Sequence, residues 1–360
     1  MNFKNFAGDA KVSFKLGNGM TVTDSDSSMS FNLSFINQNR IEVNKIFDKN
    51  IKPTVAAQVR RIRFRVNGFF FHNKLQYFTQ IGLSPIEIKN GILLDAFLKY
   101  NPNKHFSLQF GQGKLPGNRE QITPMQFQQF IDRSNTDALL RLDRDFGIQL
   151  QTNFGKKMIV RPTISISTGE GRNYTSASFQ HFDYTARVEW LPLGDFNNYS
   201  YADLSRNSKP KLAIGVAYDF NNKAIYQNGQ LGGNTISDTF QKDIHTTIAD
   251  VNFKWKGLNV YGDYIFRTVK NDTANLYRKG HAIFAAAGYT FKKHYDISFR
   301  YNHTFAGKTG TLDKTNDYTL SFAKYFYLHN LKIQTDYTLT DNKTIKRKSG
   351  MWRLQVQIII

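Results

Sequence analysis

Three arginines at alternate positions, Arg61, Arg63 and Arg65, are the residues of this chain best suited to chemistry. A guanidinium stays charged at any physiological pH and grips phosphate or carboxylate oxygens through paired hydrogen bonds. A row of them is a relay along which an anion can step. The stretch Val59 to Gly68 reads as the strand that carries the row. Successive side chains of a strand point to opposite faces. Arg61, Arg63, Arg65 and Asn67 therefore share one face, and Arg60, Ile62, Phe64, Val66 and Gly68 the other. In a soluble sandwich the apolar face would be core. In a membrane barrel it would meet lipid, and the arginines would line a water-filled lumen. Turning them to lipid would cost about 2–4 kcal/mol each at mid-bilayer. The plainer reading is a solvated face, or one paired with Asp95, Asp183 or Glu189.

Other charges are placed less sharply. Arg119, Arg133, Arg141 and Arg144 crowd one long interruption, residues 114–144. They read either as a basic constriction or as salt-bridge partners of Glu120, Asp132, Asp137, Asp143 and Asp145. Lys99, Arg161, Arg187, Lys254, Arg267, Arg300 and Lys332 fall inward by parity, as wall charges. Catalytic and metal chemistry is not indicated. The eight histidines sit mostly in turns and loops, none at metal-site spacing. HExxH and GxSxG are absent, and no serine–histidine pair is legible. No enzyme activity and no cofactor are expected.

Composition narrows the class. The chain has 360 residues and a formal net charge of +20, with 48 Lys and Arg against 28 Asp and Glu. Its basic residues are scattered through strands and loops rather than gathered in a tail or patch. That favours small anions or a membrane surface over nucleic acid. Without cysteine there is no disulfide framework or thiolate site. Apolar runs fall short of the roughly 18 residues a membrane helix needs. Aromatic residues are abundant (31 Phe, 18 Tyr) and proline scarce (8), which describes an outer-membrane barrel as well as a soluble β protein.

The chain organises itself as alternating segments. Residues 1–27 read as an irregular lead-in with a turn at Gly17-Asn18-Gly19. Strands begin at Met29, with residues 41–53 as a loop, and number about sixteen, each roughly the ten residues a tilted strand needs to cross a bilayer. Tight turns at 72–74, 101–104, 154–157, 256–258, 291–294 and 327–330 alternate with longer loops. One connection on the turn side, 193–209, is long for its place. Helical periodicity is confined to Met125–Leu142. Tyr100, Trp190, Trp255, Tyr301 and Trp352 read as an aromatic girdle. The expected architecture is an all-β, transmembrane, antiparallel up-and-down barrel over residues 28–360.

Several motifs in order resemble the phosphate-selective porin O and P family, with the character of its Bacteroidota members. They are Arg60-Arg61-Ile62-Arg63 leading to Gly68, Asp95-Ala96-Phe97-Leu98, Gly111-Gln112-Gly113-Lys114-Leu115-Pro116, Phe130-Ile131-Asp132-Arg133-Ser134, Arg144-Asp145-Phe146-Gly147, Arg187-Val188-Glu189-Trp190-Leu191-Pro192-Leu193-Gly194 and Phe299-Arg300-Tyr301. The resemblance implies a sixteen-stranded barrel, often trimeric, whose long third external loop folds inward. Residues 114–144 fall at that loop. It also implies an internal arginine ladder, matched by Arg61, Arg63 and Arg65. The family's lysine ring has no compact counterpart here.

The expected function is an outer-membrane porin whose basic lumen favours small anions such as phosphate. The alternative is a non-conducting barrel serving as a structural subunit of a larger complex, suggested by 193–209, the lead-in and the absent lysine ring. A soluble nucleic-acid-binding protein is a distant third. Expected partners are outer-membrane lipid and lipopolysaccharide, small anions, and a homotrimer or hetero-complex. Both termini would be periplasmic. Met1 to Phe6 contain no apolar signal core, so a cleaved export signal would precede this numbering.

Overall fold

The computed structural model describes residues 10–48, 50–89, 91–174, 181–196, 199–306 and 311–360. A short hairpin, β1 (Lys11–Lys15) and β2 (Gly19–Thr23), precedes sixteen barrel strands. These are β3 (Ser30–Ile46), β4 (Thr54–Phe70), β5 (Leu75–Gly82), β6 (Leu93–Asn103), β7 (Phe106–Lys114), β8 (Arg144–Thr152), β9 (Ile159–Ser167), β10 (Asp183–Leu191), β11 (Lys211–Ala224), β12 (Lys242–Trp255), β13 (Leu258–Val269), β14 (Gly280–Thr290), β15 (Tyr295–Phe305), β16 (Thr315–Tyr327), β17 (Leu331–Asn342) and β18 (Arg347–Ile359). Each pairs antiparallel with the next, and β18 pairs with β3, closing the barrel. No backbone edge faces the bilayer core, which lipid could not satisfy.

The period-two reading holds along the wall. On β10, Asp183, Thr185, Arg187, Glu189 and Leu191 are buried inside, while Tyr184, Val188 and Trp190 are exposed outside. A lipid-facing wall must be apolar, and a lumen wall is free to carry charge. Tight turns gather at one end. One is Lys256-Gly257, both at positive φ (49° and 97°), the geometry whose twist matches the flanking strands. A Cβ on Gly257 would strike the Thr290 carbonyl, so only glycine fits. The longer connections gather at the other end.

Three expectations need correction. Residues 41–46 belong to β3 rather than to a loop, because they find partners on both β4 and β18. Residues 11–23 form the hairpin, whose β2 pairs with the first residues of β3. The periodicity of 125–142 yields only a 3-10 turn at Met125–Phe127 and the helix α3 (Asn135–Leu140), after two short helices, α1 (Pro85–Lys89) and α2 (Arg119–Ile122).

The connection between β7 and β8, third of those at the loop end, folds into the barrel. Its Leu115, Leu140 and Leu142 pack on Ala217, Ile248, Ile265 and Ala282 of the inner wall. Leu140 and Leu142 are fully buried, worth about 1.5–3 kcal/mol each. The α3 N-terminus is capped by Ser134, whose side chain accepts from the Asp137 amide. The core of this protein is therefore inside the barrel, against β11–β16.

Candidate lumen site

The inward loop is fastened residue by residue. At its tip, the Asp132 carboxylate accepts from Arg40 at 2.7 and 2.9 Å and from Arg353 at 2.9 Å, with Arg61 at 3.4 Å. Burial pushes this carboxyl up, but the three guanidiniums outweigh burial and hold it well below the usual carboxylate range. Its backbone carbonyl accepts from Arg300, whose guanidinium also lies over the Phe130 ring at 4.5 Å. Arg119, at the start of α2, bridges Glu189 and Asp250 at 2.9 Å each and is fully buried. Asp250 in turn binds Arg187. Wall side chains on β13, β15 and β17 (Asp263, Asp296, Asn302, Gln334) complete the seam with bonds to Asn118, Gln129 and Thr136. Gly288 leaves the wall bare where the Gln129 side chain lies.

A second segment enters from the turn end. Within 192–210, Tyr201 is fully buried and stacks on Tyr261 with ring centroids 3.8 Å apart. Its backbone amide donates to the Phe127 carbonyl at 3.1 Å. Tyr199 donates to Glu189, and Lys254 binds the Ser200 carbonyl. Ser200 and His329 lie 2.9 Å apart, a serine–histidine contact that spacing did not reveal. Among the described residues the other ring nitrogen, Nδ1, has no partner. Burial first, with Lys332 and Lys254 behind it, holds the imidazole pKa well below its usual value.

The half of the lumen facing β4–β7 stays open. A cavity of about 330 Å³ lies between that wall and the loop, lined by Arg63, Arg65, Phe78, Phe97, Met125 and Phe127 among others. It shares Arg65, Phe78, Phe97, Gln109 and Phe127 with a cavity of about 670 Å³ that reaches the turn end past Lys99. At the loop end, Arg141, Asp143, Glu170 and Arg172 ring a third cavity of about 740 Å³.

The expected site residues divide accordingly. Arg61 does not stand free in a ladder, because it is tied to Asp132 and Gln38. Arg63 donates to Glu87 of α1 at 2.6 Å. Arg65 lines the open cavity, and among the described residues its side chain has no hydrogen-bond or carboxylate partner. Arg119 is a buried anchor rather than part of a constriction. Arg144 forms a two-point pair with Asp95 and lines the open cavity. Arg141 pairs with Asp137 and Asp143. Arg133 binds three loop carbonyls (Glu120, Gln121, Thr123) and Lys114 two (Gln121, Ile122), so neither charge is cancelled by a carboxylate at close range. Arg161 pairs with Glu189 and Asp195, Arg267 binds Asn228, Leu140 and Arg141 carbonyls, and Arg300 approaches Glu120 at 3.6 Å. Lys254 and Lys332 point inward to carbonyls of the two infolded segments. Sequence reasoning missed Lys114, Phe78 and Phe97 as a group. Their inward parity was the available signal.

The Gram-negative porin family model matches residues 106–345. Among proteins of curated function none matches this sequence. Solved structures of similar fold include the anion-selective porin from Comamonas acidovorans (9% identity, TM-score 0.63, covering 92% of this chain and 100% of that one). They also include the outer membrane channel DcaP of Acinetobacter baumannii (12%, 0.59, 92% and 97%) and the trimer form of OmpT from Vibrio cholerae (13%, 0.56, 92% and 99%). With a closed sixteen-stranded wall, an inward third loop and a family match over two thirds of its length, this chain belongs to the Gram-negative porins, the channels of the outer membrane.

Proposed function

We propose that this porin is a passive diffusion channel favouring small anions, phosphate among them, as its likeness to the phosphate-selective porin O and P family implies. One observation carries the reading. Arg65, Lys99, Lys114 and Arg133 line connected cavities along β4–β7, and among the described residues none is ion-paired to a carboxylate. Uncancelled charge in a narrow, low-dielectric passage sets selectivity at close range. In this reading the tight-turn end and the lead-in face the periplasm, lipid and lipopolysaccharide surround the wall, and the barrel assembles as a homotrimer, as the OmpT relative does in its trimer form. The test is reversal potential under a salt gradient in planar bilayers. Wild type should favour chloride over potassium, and Arg65→Glu should move the potential toward cations further than Arg61→Gln does. Cation preference in wild type ends the proposal.

A second reading has its own support. Segments from both ends meet inside the barrel at Tyr201 and Phe127, which suits a non-conducting barrel held within a larger outer-membrane complex. Absent conductance, with other proteins recovered in a native pull-down, would favour it. Recovery of homo-oligomers alone would count against it.

A further inference from the structure

The cavity between β4–β6 and the loop is not a uniformly wet, basic hole. Phe78 and Phe97 both point into it and stack on each other, ring centroids 5.4 Å apart and planes 24° apart. Across from them the loop contributes Ile122, Pro124, Met125 and Phe127. A water-filled lumen wall gains nothing from aromatic faces, and apolar surface left facing water is unfavourable. The cations are unequal too. Arg63 is engaged by Glu87 and Arg144 by Asp95, while Lys114 and Arg133 are spent on loop carbonyls. Arg65 alone of these guanidiniums has neither a hydrogen bond nor an ion pair among the described residues, and its Nε is shielded from solvent without an acceptor. A polyanion needs several free cations. This site offers one whose hydrogen-bond donors are all unspent, beside two stacked rings and an apolar lid.

Building on the channel reading, we propose that this cavity is a binding subsite for a monocarboxylate with a flat apolar body, such as an aromatic acid. Arg65 takes the carboxylate through its unpaired guanidinium. Phe78 and Phe97 form the floor for the ring, and Met125 and Phe127 close over it. A volume of about 330 Å³ suits a small ligand of this class. Transfer of a phenyl-sized apolar body from water should favour benzoate over acetate by roughly tenfold or more.

The experiment is a saturation-transfer NMR titration of the full chain in detergent with benzoate, acetate and inorganic phosphate at constant ionic strength. Benzoate should bind at least about tenfold more tightly than either competitor. Arg65→Gln should weaken benzoate by a similar factor. Phe97→Ala should shrink the benzoate-to-acetate ratio toward one, and Phe97→Leu, which keeps the bulk but not the ring, should shrink it part of the way. Strand content by circular dichroism identifies a variant that has not folded, in which case Phe97→Leu decides. Equal affinities, tighter phosphate, or a ratio unmoved by both Phe97 variants would overturn the subsite. Benzoate selectivity in a protein without conductance would keep the subsite and remove the channel reading. Conductance with no benzoate preference would do the reverse.

Discussion

The backbone amide of Tyr201 donates to the carbonyl of Phe127 at 3.1 Å, joining a segment that enters from the turn end to a loop that enters from the other. Together with the stack on Tyr261, this bond keeps half of the lumen filled. The open space along the wall is therefore displaced toward β4–β7.

Tyr201→Ala should release the turn-end segment. Losing a large buried aromatic costs about 3–5 kcal/mol. Single-channel conductance should rise, and trypsin should cut faster than in wild type at Arg206, which bonds to the Thr290 carbonyl. Unchanged conductance together with unchanged cleavage would show that the segment does not depend on this ring.

Asp132→Asn should loosen the loop tip. Three arginines converge on this carboxylate, whose side chain is 25% exposed, so the loss should fall short of the about 3–5 kcal/mol that breaking a fully buried pair costs. Arg61 would then face the lumen uncompensated. Anion preference should increase, read as a reversal potential closer to that of chloride. A shift toward cations contradicts the assignment.

Glu120 should make loop docking pH-dependent. Burial, reinforced by Asp137, pushes its carboxyl from an ordinary 4.5 up to about 7, against the pull of Arg300. A folded value above the ordinary one means that the fold takes up a proton between the two. Stability is therefore gained as pH falls through about 7 toward 4.5, and lost on going above 7. The Ser134 amide and hydroxyl both donate to this carboxyl, favouring its charged form, and so only partly offset burial. Protease resistance of the loop should rise from pH 8 to pH 6, and Glu120→Gln should flatten that trend. A Gln variant that keeps the full trend would assign it to another group.

Strand faces were legible because alternation is local. Arg187 and Trp190 sort to lumen and lipid from their parity alone. The 41–46 stretch was not, since its mixed Glu42, Asn44 and Lys45 look like a loop until Glu42 is set opposite Arg353, more than three hundred positions away. The inward loop came from resemblance, not from its own pattern. Its anchoring was invisible for the same reason as 41–46: Asp132 meets Arg40, Arg61 and Arg353 only once the barrel has closed. Counting charges around Arg119, Arg133, Arg141 and Arg144 could not show that Arg119 turns away from the open path to Glu189 and Asp250.

The seam between β3 and β18 bears on how this wall is assembled. Gln38 and Gln357, 319 positions apart, are hydrogen-bonded across it at 2.5 Å. Joining such distant stretches is entropically the costliest pairing in the sheet, so we expect it last. Until then the edge of β3 is bare, the condition that invites a strand from another molecule. The β1–β2 hairpin continues the same edge. It occupies the first residues of β3, beyond the point where Ile360 bonds to Phe35, and so covers the part of that edge that the last strand does not reach.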